Sequence, residues 1–187
     1  MEILIILIPL TILFIVIVKI YNGIIRRHNA VKRAWANVIT QQRQKNKIIP
    51  YLESSLNKYG DYEQALQKQI TQLREAITNL SESDIDHSSL KTAQESTRAL
   101  VGGIRVAVEA YPDLKASKLY IGFMKELTEQ EENIGATVRI FNQNVESFNN
   151  GIQTFPNSLV NTILNQKKLI NVFSDSEAEA DFEYKLT

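Results

Sequence analysis

The sequence predicts an all-α protein: an N-terminal transmembrane helix continuing into an antiparallel up-and-down four-helix bundle. Three observations carry this. Residues 3–18 (ILIILIPLTILFIVIV) form an apolar run without a charge. Beyond them apolar residues recur at helical spacing, and no strand-like alternation lasts more than a few positions. Short polar, Pro- or Gly-bearing breaks then divide the chain into stretches suited to bundle helices.

The apolar run covers roughly 24 Å as a helix, short of the roughly 30 Å hydrocarbon core. Lys19 can snorkel to the headgroups, and Ile20, Tyr21, Ile24 and Ile25 extend the apolar surface. A cleaved signal peptide and a buried core helix are the alternatives. The start is Met1-Glu2 rather than basic, the run is long, and no small-residue cleavage triplet follows, so residues 1–22 are expected to be an uncleaved anchor. Eight bases follow (Lys19, Arg26, Arg27, Lys32, Arg33, Arg43, Lys45, Lys47), with no acid between Glu2 and Glu53. Lys and Arg gather on the cytoplasmic side. The expected topology is therefore single-pass in the plasma (inner) membrane, N-terminus outside, with a helical bundle over residues 23–165 in the cytoplasm. Pro9 is tolerable in a membrane helix where neighbours satisfy the freed carbonyl.

The first helix should leave the membrane unbroken, with a stripe of Tyr21, Ile24, His28, Val31, Trp35, Val38, polar Gln42 and Lys45, then Ile49, Leu52, Leu56 and Tyr59. Pro50 should bend or restart it. Gly60 suits the left-handed position after a helix, and Asp61 with Gln64 forms a capping box for the second helix. That helix carries Leu66, Ile70, Leu73, Ile77 and Leu80. Its stripe stays in phase across Gly60, so one very long helix is the alternative. Residues 81–89 (SESDIDHSS) are a polar loop, and a third helix bears Leu90, Ala93, Thr97, Leu100, Ile104, Val108 and Tyr111. Gly102-Gly103 inside it costs about 1 kcal/mol each relative to Ala, which close helix packing would explain. Pro112 stops this helix and Ser117 starts the fourth. Two seven-residue ladders mark the fourth: Tyr120, Leu127, Ile134, Phe141, Phe148, and Met124, Glu131, Val138, Val145, Ile152. Phe155-Pro156 ends it. A short amphipathic piece (Leu159, Val160, Ile163, Leu164) leads to an acidic, partly disordered tail over residues 166–187, with Asp175, Glu177, Glu179, Asp181 and Glu183.

Composition narrows the chemistry. There is no cysteine, which removes disulfides, thiol chemistry and Cys-ligated metal. Lys plus Arg equals Asp plus Glu at 21 each, and the bases cluster beside the span, where they read as a lipid-headgroup device. With no further basic surface, nucleic acid is not an expected partner. P-loops, glycine-rich dinucleotide loops, EF-hand loops and nucleophile elbows are absent from the sequence. His28 sits near the membrane without an acid neighbour and His87 in a polar loop, so neither joins a metal motif. No catalytic residue, cofactor or metal is expected.

The polar residues that remain read as structural or interaction candidates. Glu63 and Glu131 continue apolar stripes, with Lys45, Arg74 and Arg139 as candidate partners, because a buried carboxylate must be paired or protonated. Asn22 and Asn29 are seven apart, as are Asn142 and Asn149. Pairing Asn22 with Asn149 brings Asn29 opposite Asn142 and sets Trp35 opposite Ala136, beside Gly135. Buried Asn pairs of this kind specify register, and surface asparagines on polar faces are the alternative. Tyr111, Pro112 and Asp113 form the turn between the third and fourth helices, with Pro ending one helix and Asp able to bond the turn backbone.

The run Glu109-Ala110-Tyr111-Pro112-Asp113-Leu114-Lys115-Ala116 resembles the LemA family. So do Tyr21-Asn22, Asn29, Val31, Ala34-Trp35, Ile49-Pro50, Leu52, Glu63, Arg74, Leu127, Glu131, Arg139, Asn142, Val145, Asn149 and Phe155-Pro156. The resemblance spans about residues 20–175. Tyr51 stands where the family commonly has Asn, and Lys45 where it usually has Arg. The resemblance implies a bacterial membrane protein with one N-terminal span, a cytoplasmic helical bundle and no established catalytic residues. The expected function is a membrane-anchored helical scaffold or adaptor that touches membrane lipid and binds protein partners or copies of itself as a homo-oligomer. An oligomeric assembly with a transport or channel role is the alternative, and an enzyme a third class.

Overall fold

The computed structural model describes residues 2–56 and 60–174. The junction at residues 57–59, the side chains of Asp61 and Glu63, and the acidic positions from Asp175 onward lie outside what is described. The order is α1 (Glu2–Gln44), a 3-10 turn (Lys45–Lys47), α2 (Ile49–Leu56), α3 (Gly60–Thr78), α4 (His87–Ala110), α5 (Pro112–Lys115), α6 (Lys118–Gln153), α7 (Asn157–Val160) and a π-helical turn (Asn161–Asn165). Among the described residues there is no strand, so the fold is all-helical, with a long apolar helix at the N-terminus.

Two compact units divide the chain. The first comprises residues 1–34 and 139–172. In it α1 changes character along its length. Residues 5–16 are exposed and almost wholly apolar, and they belong to a stretch long and apolar enough to cross a membrane. From Ile24 onward the helix has a buried face, with Ile24 and Val31 in the core and Phe141, Val145, Phe148 and Ile152 of α6 likewise buried. The two helices run antiparallel: the His28 and Phe148 rings lie 5.4 Å apart, and a methyl built on Gly151 would come within 2.5 Å of the Arg27 guanidinium. Cis Phe155-Pro156 follows α6.

This pairing corrects the expected register. The facing pair His28–Phe148 totals 176 in residue numbers where Asn22–Asn149 totals 171, a slip of five residues. Asn22 and Asn29 are exposed, and the Asn149 amide is taken by the main chain of Ile170. No buried Asn ladder forms. The aromatic and aliphatic steps of α6 fix the register instead, because they bury far more apolar surface than an amide pair returns.

The second unit comprises residues 35–138 and 173–187. Its core draws on four helical stretches: Ile48, Ile49, Leu52 and Leu56; Leu66, Ile70, Leu73 and Ile77; Leu100, Val101, Ile104 and Ala107; and Phe123 with Leu127, joined by Leu114. Most of the expected stripe residues are buried here, while Val108, Tyr111, Tyr120 and Met124 are only partly buried and Val101 and Ala107 join the core in addition. Helix α1 gives way at Lys45, five residues before Pro50, which lies in the first turn of α2, where a missing N–H costs nothing. Helix α4 starts at His87, inside the expected loop, because Asp86 caps it by accepting from the backbone N–H groups of Ser88 and Ser89. The two serine hydroxyls also donate to this exposed carboxylate and hold its pKa down to about 2. Of the glycine pair only Gly103 is crowded. A methyl there would fall 2.1 Å from the Gln69 carboxamide oxygen of α3, while Gly102 faces open space.

A buried ion pair and a candidate interaction groove

Helices are continuous structures, so a polar residue in phase with an apolar stripe is carried inward with its neighbours. Lys45 and Gln42 are in this position, and both are fully buried in the second unit. The Lys45 ammonium donates to Thr97 Oγ1 at 2.9 Å and lies 2.5 Å from Glu131 Oε1. The ammonium and the carboxylate thus form a close, buried ion pair. Thr97 in turn donates to Ala93 O within α4. The pair thus fastens the end of α1 to α4 and α6. Burial pushes the Lys45 pKa below its ordinary value, and the adjacent Glu131 works against that shift.

The sequence named Glu131 as inward-facing with Lys45 among three possible partners; Lys45 is the one it meets. Arg139 is exposed, and Arg74 pairs at 3.0 Å with Glu53, an acid the sequence did not single out. Gln42 was also missed as special. Its carboxamide is buried, and neither end is bonded to another group among the described residues. The only available signal was its place in the stripe between Val38 and Ile49.

Trp35 is buried, and its indole N–H donates to Ser81 O at 2.9 Å. Its ring lies 5.8 Å from His87, which lies 5.6 Å from Phe173. His87 is therefore a half-buried member of an aromatic cluster rather than a loop residue. Burial, ahead of the opposing Asp86 charge, lowers its pKa. The same loop is held by Arg43, which pairs with Glu82 and donates to Leu80 O at 3.0 Å. With Lys45 on Glu131, the level of Gly135 and Ala136 along α1 is that of Thr40 and Gln41, which moves Trp35 away from the expected site.

At the Tyr111-Pro112-Asp113 turn, the Tyr111 N–H closes α4 on Ala107 O and its carbonyl accepts from Leu114 N. Pro112 begins α5, and Pro112 and Asp113 are exposed while Leu114 is the residue that anchors the turn in the core. Asn142 is half-buried, and Asn149 clamps the C-terminal segment through Ile170 N and O at 3.1 and 2.8 Å.

An open groove of about 480 Å³ lies between the 3-10 turn with α2 and the start of α6. Phe123 forms its buried floor, Tyr51 and Leu119 stand exposed at its sides, and Lys47, Lys118 and Glu126 line it. Apolar rings framed by charges of both signs suit a polypeptide better than a small anion. No group of three or more metal-ligating side chains occurs among the described residues. Lys45 could act chemically only if it were reachable, and its side chain is 1% exposed with its ammonium engaged.

A family model described as the LemA family matches residues 34–183. Protein LemA of Metamycoplasma hominis is 32% identical over 160 residues, an alignment covering 84% of this chain and 70% of that protein.

Proposed function

The chain belongs to the LemA family, and from that premise we propose that it is a helical scaffold anchored in the plasma membrane, its N-terminus outside and its helical body in the cytoplasm. It binds protein partners, or further copies of itself, at the membrane face and catalyses nothing. The observation that supports this is the change along α1: bare and apolar over residues 5–16, packed on one face from Ile24. Water would penalise that bare stretch heavily, at about 25 cal/mol per Å² of apolar surface, and a bilayer removes the penalty. The basic residues from Lys19 to Lys47 set the orientation. Anchoring confines the groove floored by Phe123 to two dimensions, where weak contacts suffice through raised effective concentration.

Photo-cross-linkers placed at Tyr51 and Leu119 of the full chain in intact membranes test the reading. A small set of discrete adducts at these positions, absent with a cross-linker at Gln143, is expected. Adducts of one, two and more copies of the chain would identify the partner as itself. No adduct at either position, or digestion of the helical body by protease added outside intact cells, overturns the proposal.

A further inference from the structure

The C-terminal part of the first unit carries apolar side chains that nothing among the described residues covers. Leu159, Ile163 and Leu164 are 56%, 63% and 51% exposed, and Phe155 is exposed as well. They lie on an excursion that is tightly built. The main chain leaves α6 near Arg27, and at its far point Asn165 Nδ2 donates to Tyr21 O at 3.4 Å. It then returns, so that Lys167 acts electrostatically on His28. Two asparagines staple it. Asn161 bonds Lys167 N and O at 3.0 Å each, and Asn149 bonds Ile170. Gln166 accepts a left-handed φ of 51° to close the π turn on Asn161 O. A non-glycine residue held there is costly and persists only when its surroundings demand it.

The level of that far point is informative. The apolar run of residues 3–18 is centred between Leu10 and Thr11. Tyr21 lies about 16 Å beyond the centre at 1.5 Å per residue, against a hydrocarbon half-thickness of about 15 Å. The excursion therefore presents Ile163 and Leu164 where acyl chains meet headgroups. Lys19, Arg26 and Lys168 are exposed in the same unit and carry the charge that complements anionic lipid.

We infer that residues 155–165 form a second membrane contact, with Leu159, Ile163 and Leu164 seated in the headgroup–acyl boundary of an anionic bilayer beside the foot of the span. This rests on the anchored topology proposed above, and the test separates the two. Because the chain has no cysteine, single replacements Leu13→Cys, Leu159→Cys, Ile163→Cys and Gln143→Cys in the full chain each accept one environment-sensitive dye. The labelled chains are reconstituted into phosphatidylglycerol-rich vesicles containing lipid with a nitroxide near the headgroup or at mid-chain. Dyes at 159 and 163 should be quenched by the shallow nitroxide at least about threefold more than the dye at 143, since interfacial helices sit only about 5–10 Å deep. The dye at 13 should respond to the mid-chain nitroxide. Quenching at 13 with 159 and 163 matching 143 overturns the second contact and leaves the anchor standing. No quenching at 13 overturns the anchor, and this inference with it. A blue-shifted but unquenched dye at 163 assigns the patch to a protein neighbour and equally overturns it. Loss of the shallow quenching in purely zwitterionic vesicles supports the role of the bases.

Discussion

Replacing Lys45 with methionine keeps the stem and removes the charge, stranding the Glu131 carboxylate in the second unit. Removing one partner of a buried pair costs about 3–5 kcal/mol. The Glu131 side chain is 15% exposed, so water reaches part of it, and the lower end, about 3 kcal/mol, applies. That is about two orders of magnitude in the folding equilibrium. At about 2–4 °C per kcal/mol for a chain of this size, the melting temperature should fall by about 6–12 °C. The double variant Lys45→Met with Glu131→Gln should regain most of the loss, since removing both members of a buried pair is often close to neutral. Melting and urea unfolding of the full chain in mild detergent, followed by circular dichroism, measure both. Burial also lowers the Lys45 pKa. Between that lowered value and the ordinary 10.5, the unfolded chain holds a proton that the folded one has released. The Lys45 contribution to stability therefore rises with pH in that window, and the gap between parent and Lys45→Met should widen there. A single variant within about 0.5 kcal/mol of the parent, the limit for an unimportant surface change, would refute the reasoning. So would a double variant no better than the single.

Gln42→Met should stabilise the chain by about 1 kcal/mol, because it removes a buried carboxamide that has no partner among the described residues and keeps the volume; urea midpoints decide it. Burial among Trp35 and Phe173 lowers the His87 pKa from 6.5. Below 6.5 the unfolded chain takes up the proton first, so stability should fall as pH drops from 6.5 through the lowered value. His87→Phe should flatten that part of the profile in melts between neutral and mildly acidic pH. Asn149→Leu removes both bonds to Ile170, each worth about 0.5–1.5 kcal/mol. Trypsin cleavage after Lys167 and Lys168 in the reconstituted chain should quicken by roughly tenfold, read from the appearance rate of the shortened band.

Legibility followed periodicity. The stripe from Ile24 to Leu56, the Leu66–Leu80 ladder and the α6 ladders were readable because burial at helical spacing leaves a mark every three or four residues. The start of α6 after Ser117 and its end before Phe155-Pro156 were equally readable, since proline and capping chemistry act locally. Register left no such mark. Equal spacing of two asparagines on each of two helices permits a ladder, yet Asn22 and Asn29 face outward and Asn149 binds the returning chain.

The sequence by itself determined which faces of the helices carry the apolar stripes, where α6 starts and ends, that residues 3–18 form a charge-free apolar run, and which family the chain resembles. Only the tertiary structure decided which partner each inward polar group meets. Lys45 reaches Thr97 and Glu131, 52 and 86 positions away along the chain, and Trp35 reaches Ser81, 46 positions away. Helical periodicity is a property of one segment and is written in its residues; a contact between segments depends on how two surfaces slide past each other, which apolar packing settles over many side chains at once.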